Sequence, residues 1–271
     1  MPRATIKATA EFHYLSFDRY PVSASFLSDR GPTRANNEDS ATVIVPDRDA
    51  LAQKGILAVV ADGMGGHEGG EIASNLAVDY IARSYYASSE SPQEALVTAF
   101  QGANRAIFDR ARKEPKLAGM GTTCTAVAVI SGVAWAAHVG DSRVYLVRGG
   151  ETYRMTEDHS ATMQLVNKGV ITLAEAAHHE DRNVITRAMG THDKLEVSCW
   201  KDPFPLQPDD RFVLCSDGLY ETISDREIAE VAARARQPER ACADLIALAT
   251  RRECSDNVTV AVLHVGRAEP A

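Results

Sequence analysis

The sequence predicts an α+β domain built from layers. Three observations lead there. Apolar runs of strand length recur along the chain, at Ile56–Ala61, Arg211–Cys215 and Val258–Val265, each too short for a helix and rich in β-branched residues. The strands come in groups, and pairs of helical segments follow the groups, which fits segregated layers better than strict βαβ alternation. The length, 271 residues, suits one large domain or two small ones, and no internal repeat divides it.

Taken in order, residues 1–21 lack a clear period and read as an N-terminal extension. Val22–Ser28 alternates in part and opens the core. A polar, turn-rich segment, Gly31–Asp39, returns to a strand at Ala41–Val45, and a polar loop is expected over 46–54. Ile56–Ala61 is apolar without a break, the pattern of a strand covered on both faces. It runs into the glycine-rich turn Asp62-Gly-Met-Gly-Gly-His67. Glu71–Tyr86 carries Ile72, Leu76 and Tyr80 at helical spacing. Ser91-Pro-Gln-Glu94 is a capping box with proline at the first helical position, and the helix it starts should stop before Pro115.

Four strands are expected next, at Thr122–Ile130, Val133–Val139, Val144–Val147 and near Thr152–Met155, as one antiparallel meander. Residues 158–190 differ. Short helices around Leu165 and after the capping box Thr172–Glu175 predict a helical flap over the sheet, not a separate domain. Leu195–Trp200 reads as a strand and Pro203, Pro205 and Pro208 as a rigid loop. Ser224–Glu227 caps one helix, to about residue 236. Pro238 opens another, to about 252. Val258–Val265 closes the domain, taken as 22–266, and 267–271 is a tail.

Composition removes several classes of function. Hydrophobic residues make up 45% and charged residues 24%, as in ordinary globular proteins. No apolar run approaches membrane-spanning length, and the first twenty residues do not resemble a secretory leader. A net charge of −8 argues against binding nucleic acid through its phosphates. The cysteines, Cys124, Cys199, Cys215, Cys242 and Cys254, are odd in number and form no CxxC pair. Reduced thiols in the cytoplasm are expected, and zinc is not. No exposed apolar stripe is evident in the pattern, so a monomer is expected.

The chemistry lies in a recurring placement. Asp62, Asp141 and Asp217 each sit where a strand meets a turn, Asp256-Asn257 precedes a strand, and Asp39 is a fifth acid at a similar junction. Any one of them could simply cap its turn. If the strand ends converge, the carboxylates meet in one cleft and repel. Divalent cations resolve such repulsion, and carboxylates with backbone carbonyls suit Mg²⁺ or Mn²⁺.

Four of these aspartates lie in Ala61-Asp-Gly-Met-Gly-Gly-His67, His138-Val-Gly-Asp-Ser-Arg143, Cys215-Ser-Asp-Gly-Leu219 and Ser255-Asp-Asn-Val-Thr259, and Met120-Gly-Thr-Thr123 stands between the first two of these motifs. In this order the motifs resemble those of the metal-dependent serine/threonine protein phosphatases, the type 2C (PPM) family, over about Val22 to Val265. Met64, with His67 three residues on, is similar to the bacterial branch.

The resemblance implies a four-layer α-β-β-α sandwich, two antiparallel sheets flanked by helix pairs, with the metal centre at one edge. It implies two Mn²⁺ or Mg²⁺ ions. Asp62 would bridge them with the Gly63 carbonyl as a further ligand, Asp217 and Asp256 would complete the first site, and Asp39 would hold waters of the second. Asp141 with Asp217 would bind a third ion. Arg34 matches the arginine that grips the substrate phosphate.

The implied reaction is hydrolysis of phosphoserine and phosphothreonine by a metal-bridging hydroxide. The leaving alkoxide would be protonated by His67 or a metal-bound water. Phosphorylated proteins, products of Ser/Thr kinases, are the implied partners. Local residues add expectations of their own. His138 should be packed, His178 and His179 exposed on the flap, Arg143 paired locally, and Thr122 and Thr123 should support the site. A catalytically silent phosphoprotein-binding module on the same fold would be marked by lost aspartates, and all are present. A nuclease with clustered acids would need a basic stripe, which the sequence lacks.

Overall fold

The computed structural model describes residues 20–65 and 68–267. In chain order the elements are β1 (Val22–Asp29), β2 (Asp39–Ile44), α1 (Arg48–Lys54), β3 (Ile56–Met64), α2 (Gly69–Ala87), α3 (Pro92–Lys113), β4 (Gly121–Thr122), β5 (Cys124–Ile130), β6 (Val133–Val139), β7 (Arg143–Arg148) and β8 (Glu151–Arg154). Then come α4 (Ala161–Asn167), α5 (Leu173–Ala176), β9 (Ser198–Cys199), β10 (Phe204–Pro205), β11 (Arg211–Cys215), α6 (Asp217–Tyr220), α7 (Asp225–Arg234), α8 (Pro238–Arg251) and β12 (Val258–Val265).

Among the described residues these strands form two antiparallel sheets. One has the order β1-β12-β11-β7-β8. The other runs β10-β6-β5-β3-β2, with β4 beside β3 and β9 beside β6. The alternation within β3 shows why its sequence is apolar throughout. Leu57, Val59 and Ala61 point toward Ala77, Ile81 and Phe100 of α2 and α3. Ala58 and Val60 point the other way, into the layer between the sheets with Phe212, Leu214 and Leu263. The first sheet is built alike. Tyr145, Val213 and Val260 face Ile228 and Leu245 of α7 and α8. The layers are therefore helix pair, sheet, sheet, helix pair, the expected sandwich.

The helices begin where side chains can satisfy their first N–H groups. Ser91 with Glu94 and Ser224 with Glu227 form capping boxes at α3 and α7. The flap helices α4 and α5 start at Ser160 and at the Thr172–Glu175 box.

Three expectations fail locally. Residues 48–54 are a helix, not a loop. Asp47 caps it by accepting from the Ala50 N–H at 3.0 Å, Leu51 anchors it, and Lys54 Nζ donates to the Glu90 carbonyl at 2.7 Å. The four-strand meander is divided, because β5 and β6 belong to one sheet and β7 and β8 to the other. Side-chain alternation gives a strand its faces but not its partner, and the chain changes sheets at Gly140–Ser142. Finally, Leu195–Trp200 pairs with β6 only at Ser198–Cys199. Leu195 and Val197 are apolar because they pack against the core between this sheet and its helices, not because they form a ladder. The proline loop contributes β10, a two-residue edge partner of β6, which suits a residue that cannot donate a ladder hydrogen bond.

The last strand returns beside the first. Val22 pairs with Val265, and the Gly266 N–H donates to the Pro21 carbonyl at 2.7 Å. Phe212 is fully buried between the sheets, with Trp200 and Phe204 rings at 6.4 and 6.2 Å. Phe212→Ala is expected to lower the unfolding free energy by about 3–5 kcal/mol, read from the urea midpoint at constant slope. A loss below about 1 kcal/mol would mean that this layer repacks.

Candidate metal centre

Strand register brings the five aspartates to one end of the sandwich. Asp39, first in β2, is directly opposite Asp62, near the end of β3. In the other sheet Cys215 at the end of β11 is opposite both Arg143 and Val260. Asp141, Asp217 and Asp256 each lie a few residues beyond those positions, so they leave the first sheet at the same end. A hydrogen bond joins the two groups. Ser216 Oγ donates to Asp39 Oδ2 at 2.8 Å and accepts from the Thr259 N–H at 3.0 Å.

The surroundings of each acid are specific. The Asp62 N–H donates to Thr123 Oγ1 at 3.1 Å, and its carbonyl accepts from the Thr123 N–H and Thr122 Oγ1, both at 2.8 Å. Thr123 Oγ1 lies 2.7 Å from Ser142 Oγ, next to Asp141. Thr122 and Thr123 thus support the site, as expected. Gly63 has no room for a side chain: a Cβ there would lie 2.1 Å from the Gly70 carbonyl oxygen and 2.5 Å from that of Glu38. Arg34, half exposed, donates from Nη2 to Asp256 Oδ2 at 2.5 Å. His67 lies outside the described residues. His138 is packed and stacked on His159 at 4.7 Å. His178 is exposed and His179 half-buried on the flap. Arg143 pairs with Asp158 through Nε and Nη2.

The carboxylates are held where ionisation is costly. Burial pushes Asp39 and Asp141 up to about 6. Burial, then the charges of Asp39, Asp217, Asp141 and Asp256, holds Asp62 well above the usual carboxylate range. Asp217 is raised likewise, by burial and then by Asp141, Asp256 and Asp39. Asp217 Oδ1 is also buried with no hydrogen-bond partner among the described residues. A buried acceptor without a donor, in a cluster of like charges, fits a hard cation. Among the described residues no three His, Cys, Asp or Glu side chains close into a ready-made cage. The arrangement is an open rim of acids, which suits ions that keep several waters.

Two supporting residues escaped the sequence reading. Ser216 ties Asp39 to β12. Asn257 accepts from the Glu38 N–H at 2.8 Å and donates to the Arg30 and Asn36 carbonyls at 2.8 and 3.0 Å, which fastens the Arg34 loop beside Asp256. The signal was present in Ser-Asp-Asn, since an amide side chain both donates and accepts. A groove of about 1020 Å³ leads away from Asp141, between Met163 and Leu173 of the flap and Tyr220 and Glu221.

The sequence model of the protein phosphatase 2C family matches residues 35–245, and the chain belongs to that family. It is 38% identical over 242 residues to the serine/threonine protein phosphatase PstP of Mycobacterium tuberculosis, across 88% of this chain and 44% of that protein. The chain thus spans less than half the length of this relative. It is 34% identical to the serine/threonine phosphatase Stp of Listeria innocua, across 88% of this chain and 94% of the relative. Its fold matches the crystal structure of the PstP catalytic domain in complex with two manganese ions. The TM-score is 0.75 at 36% identity, covering 90% of this chain and 98% of that one.

The raised carboxylates fix the sign of a pH effect. An acid that holds its proton more tightly when folded stabilises the fold fully below its unfolded value, about 3.9. That contribution is lost as pH rises through the folded value. The metal-free cluster therefore costs more stability at pH 7 than at pH 5, and a cation competes with protons for it. Millimolar Mn²⁺ is expected to raise the melting temperature more at pH 7 than at pH 5. Equal shifts at both pH values in a thermal melt would contradict this assignment.

Proposed function

We propose that this chain is a metal-dependent protein serine/threonine phosphatase whose catalytic domain is residues 22–266. The observation that carries the reading is the meeting of five aspartates from two sheets at one end of the sandwich, with Asp217 Oδ1 left without a donor among the described residues. Family membership and the relatives' names support it.

The site's oxygen donors fit Mn²⁺ or Mg²⁺. Asp62 and the Gly63 carbonyl would hold two ions, Asp217 and Asp256 one of them, and Asp39 the waters of the other. Asp141 with Asp217 would hold a third. When bound, such ions would lower the pKa of water, so that hydroxide is available near neutral pH, and would offset phosphoryl charge. The protein's own part is orientation. Arg34 keeps one nitrogen on Asp256 and offers its other N–H groups to phosphoryl oxygens in a planar fork. His67 is assigned as proton donor to the leaving oxygen. The groove beside Asp141 would take the peptide flanking the phosphoresidue, and phosphoproteins made by Ser/Thr kinases are the proposed substrates. Among the described residues no helix is long and apolar enough to cross a membrane. A cytoplasmic monomer is part of the proposal.

The test is phosphate release from a phosphothreonine peptide in Mn²⁺. Asp217→Ala is expected to reduce kcat/KM by about 100-fold or more. Arg34→Lys is expected to keep the charge, lose the fork and raise KM by about tenfold. Metal-independent release, or an Asp217→Ala enzyme of full activity, would refute the assignment. No release by the wild type alongside tight phosphopeptide binding would favour a silent binding module.

A further inference from the structure

His159 lies outside the residues assigned to the metal centre, yet it grips the turn that carries one of them. Its backbone N–H donates to the Gly140 carbonyl at 2.9 Å, and its Nδ1 accepts from the Gly140 N–H at 3.0 Å. Both polar groups of one residue are thus taken by a single partner, next to Asp141. Gly140 has φ +99°, and a Cβ there would lie 2.6 Å from Thr123 Cβ. The turn is therefore pressed between Thr123, which also holds the Asp62 N–H, and His159.

The same residue reaches the far end of the flap through its carbonyl and β9 through its ring. The Thr186 N–H donates to the His159 carbonyl at 2.7 Å. Because Nδ1 accepts, the ring proton is on Nε2, which donates to Ser198 Oγ of β9 at 2.9 Å. Arg187 Nη1 lies 3.1 Å from Nε2 and 3.2 Å from Ser198 Oγ. With Nε2 protonated, the arginine donates to the hydroxyl. One face of the ring stacks on His138 at 4.7 Å and 17°, and His138 Nε2 donates to the Glu157 carbonyl at 2.9 Å. Burial, then the neighbouring His138 and Arg187, lowers His159 to about 3, and burial lowers His138 as well. Both rings are neutral near pH 7, which leaves the Nδ1 lone pair available to Gly140.

We propose that His159 is a positioning residue: it fixes the Gly140–Ser142 turn, and so the placement of Asp141 relative to Asp62 and Asp217, and ties that placement to both ends of the flap. The inference rests on the metal-centre reading above. It says that part of the affinity for the ion assigned to Asp141 resides in an imidazole that does not touch the ion. Residues that orient ligands from behind commonly change metal affinity by about 10–100-fold.

The experiment compares the wild type with His159→Leu and His159→Asn. Asparagine places an acceptor oxygen near the position of Nδ1, and leucine does not. Mn²⁺ binding is measured by calorimetry at pH 7, alongside metal-free melting temperatures. The expected result is a loss of about tenfold in the weakest class of Mn²⁺ site in His159→Leu, the tighter sites unchanged, and recovery of most of that loss in His159→Asn. Unchanged binding in His159→Leu overturns the proposal. So does an equal loss at every site in both variants with a parallel fall in melting temperature, which marks a general structural role. Should His159→Leu not fold, Ser198→Ala removes the Nε2–H acceptor alone and must weaken the same class by about threefold; no change overturns the proposal. A wild type that binds no Mn²⁺ overturns the metal-centre reading itself, and is distinguishable from all of these.

Discussion

Repulsion among buried carboxylates is the constraint around which this structure is organised. Asp39 and Asp141 are 1% and 6% exposed, and burial holds their protons, as burial and then their neighbours' charges hold those of Asp62 and Asp217. Left to itself such a cluster would push the strand ends apart. The two sheets prevent this because their ladders run antiparallel and stop at a common end. The apolar layer between them, which includes Phe212 and Leu263, sets the distance across which the acids face one another. The polar contacts at the rim then set orientation. Ser216 crosses between sheets, Thr123 joins Asp62 to the Asp141 turn, and Asn257 holds the Arg34 loop in place.

The helices take part in the same arrangement from outside. Small residues such as Ala126, Ala128 and Ala137 let α2 and α3 lie close on the outer face of one sheet. The result is a rigid support carrying short connections, and the acids sit at the strand ends and on those connections. Gly63 shows how tight the support becomes near the acids. Three segments of backbone meet there, from β3, the start of α2 and the Glu38 strand end, and any side chain would separate them.

Much of this was legible in the sequence, for identifiable reasons. Ile56–Ala61 announced a strand covered on both faces, and the structure covers both. Ser91 and Glu94, or Ser224 and Glu227, marked helix starts because a capping box depends on four adjacent residues. The strand-end position of the aspartates was also visible, being a local property. Pairing was not. Nothing within Val133–Val147 says that the chain changes sheets at Gly140, since alternation is the same whichever sheet receives the strand. Asp47–Lys54 looked like a loop because one buried leucine makes no period. Leu195 and Val197 looked like strand residues because packing at the edge of the helix–sheet core needs the same composition as a ladder. Ser216 and His159 were overlooked for a further reason: their partners, Asp39 and Gly140, are distant in sequence.

The closure of β12 onto β1 has a consequence for architecture. Pro21 and Gly266 are joined by a hydrogen bond. The eight-residue strands that start and finish there carry the chain about 25 Å to the rim of acids. Residues 21 and 266 therefore lie side by side at the pole opposite the rim of acids. For the same reason a short linker could close 21 to 266 into a ring. New termini could then be opened in a surface turn such as Gly149-Gly150, giving a circular permutant with both sheets intact.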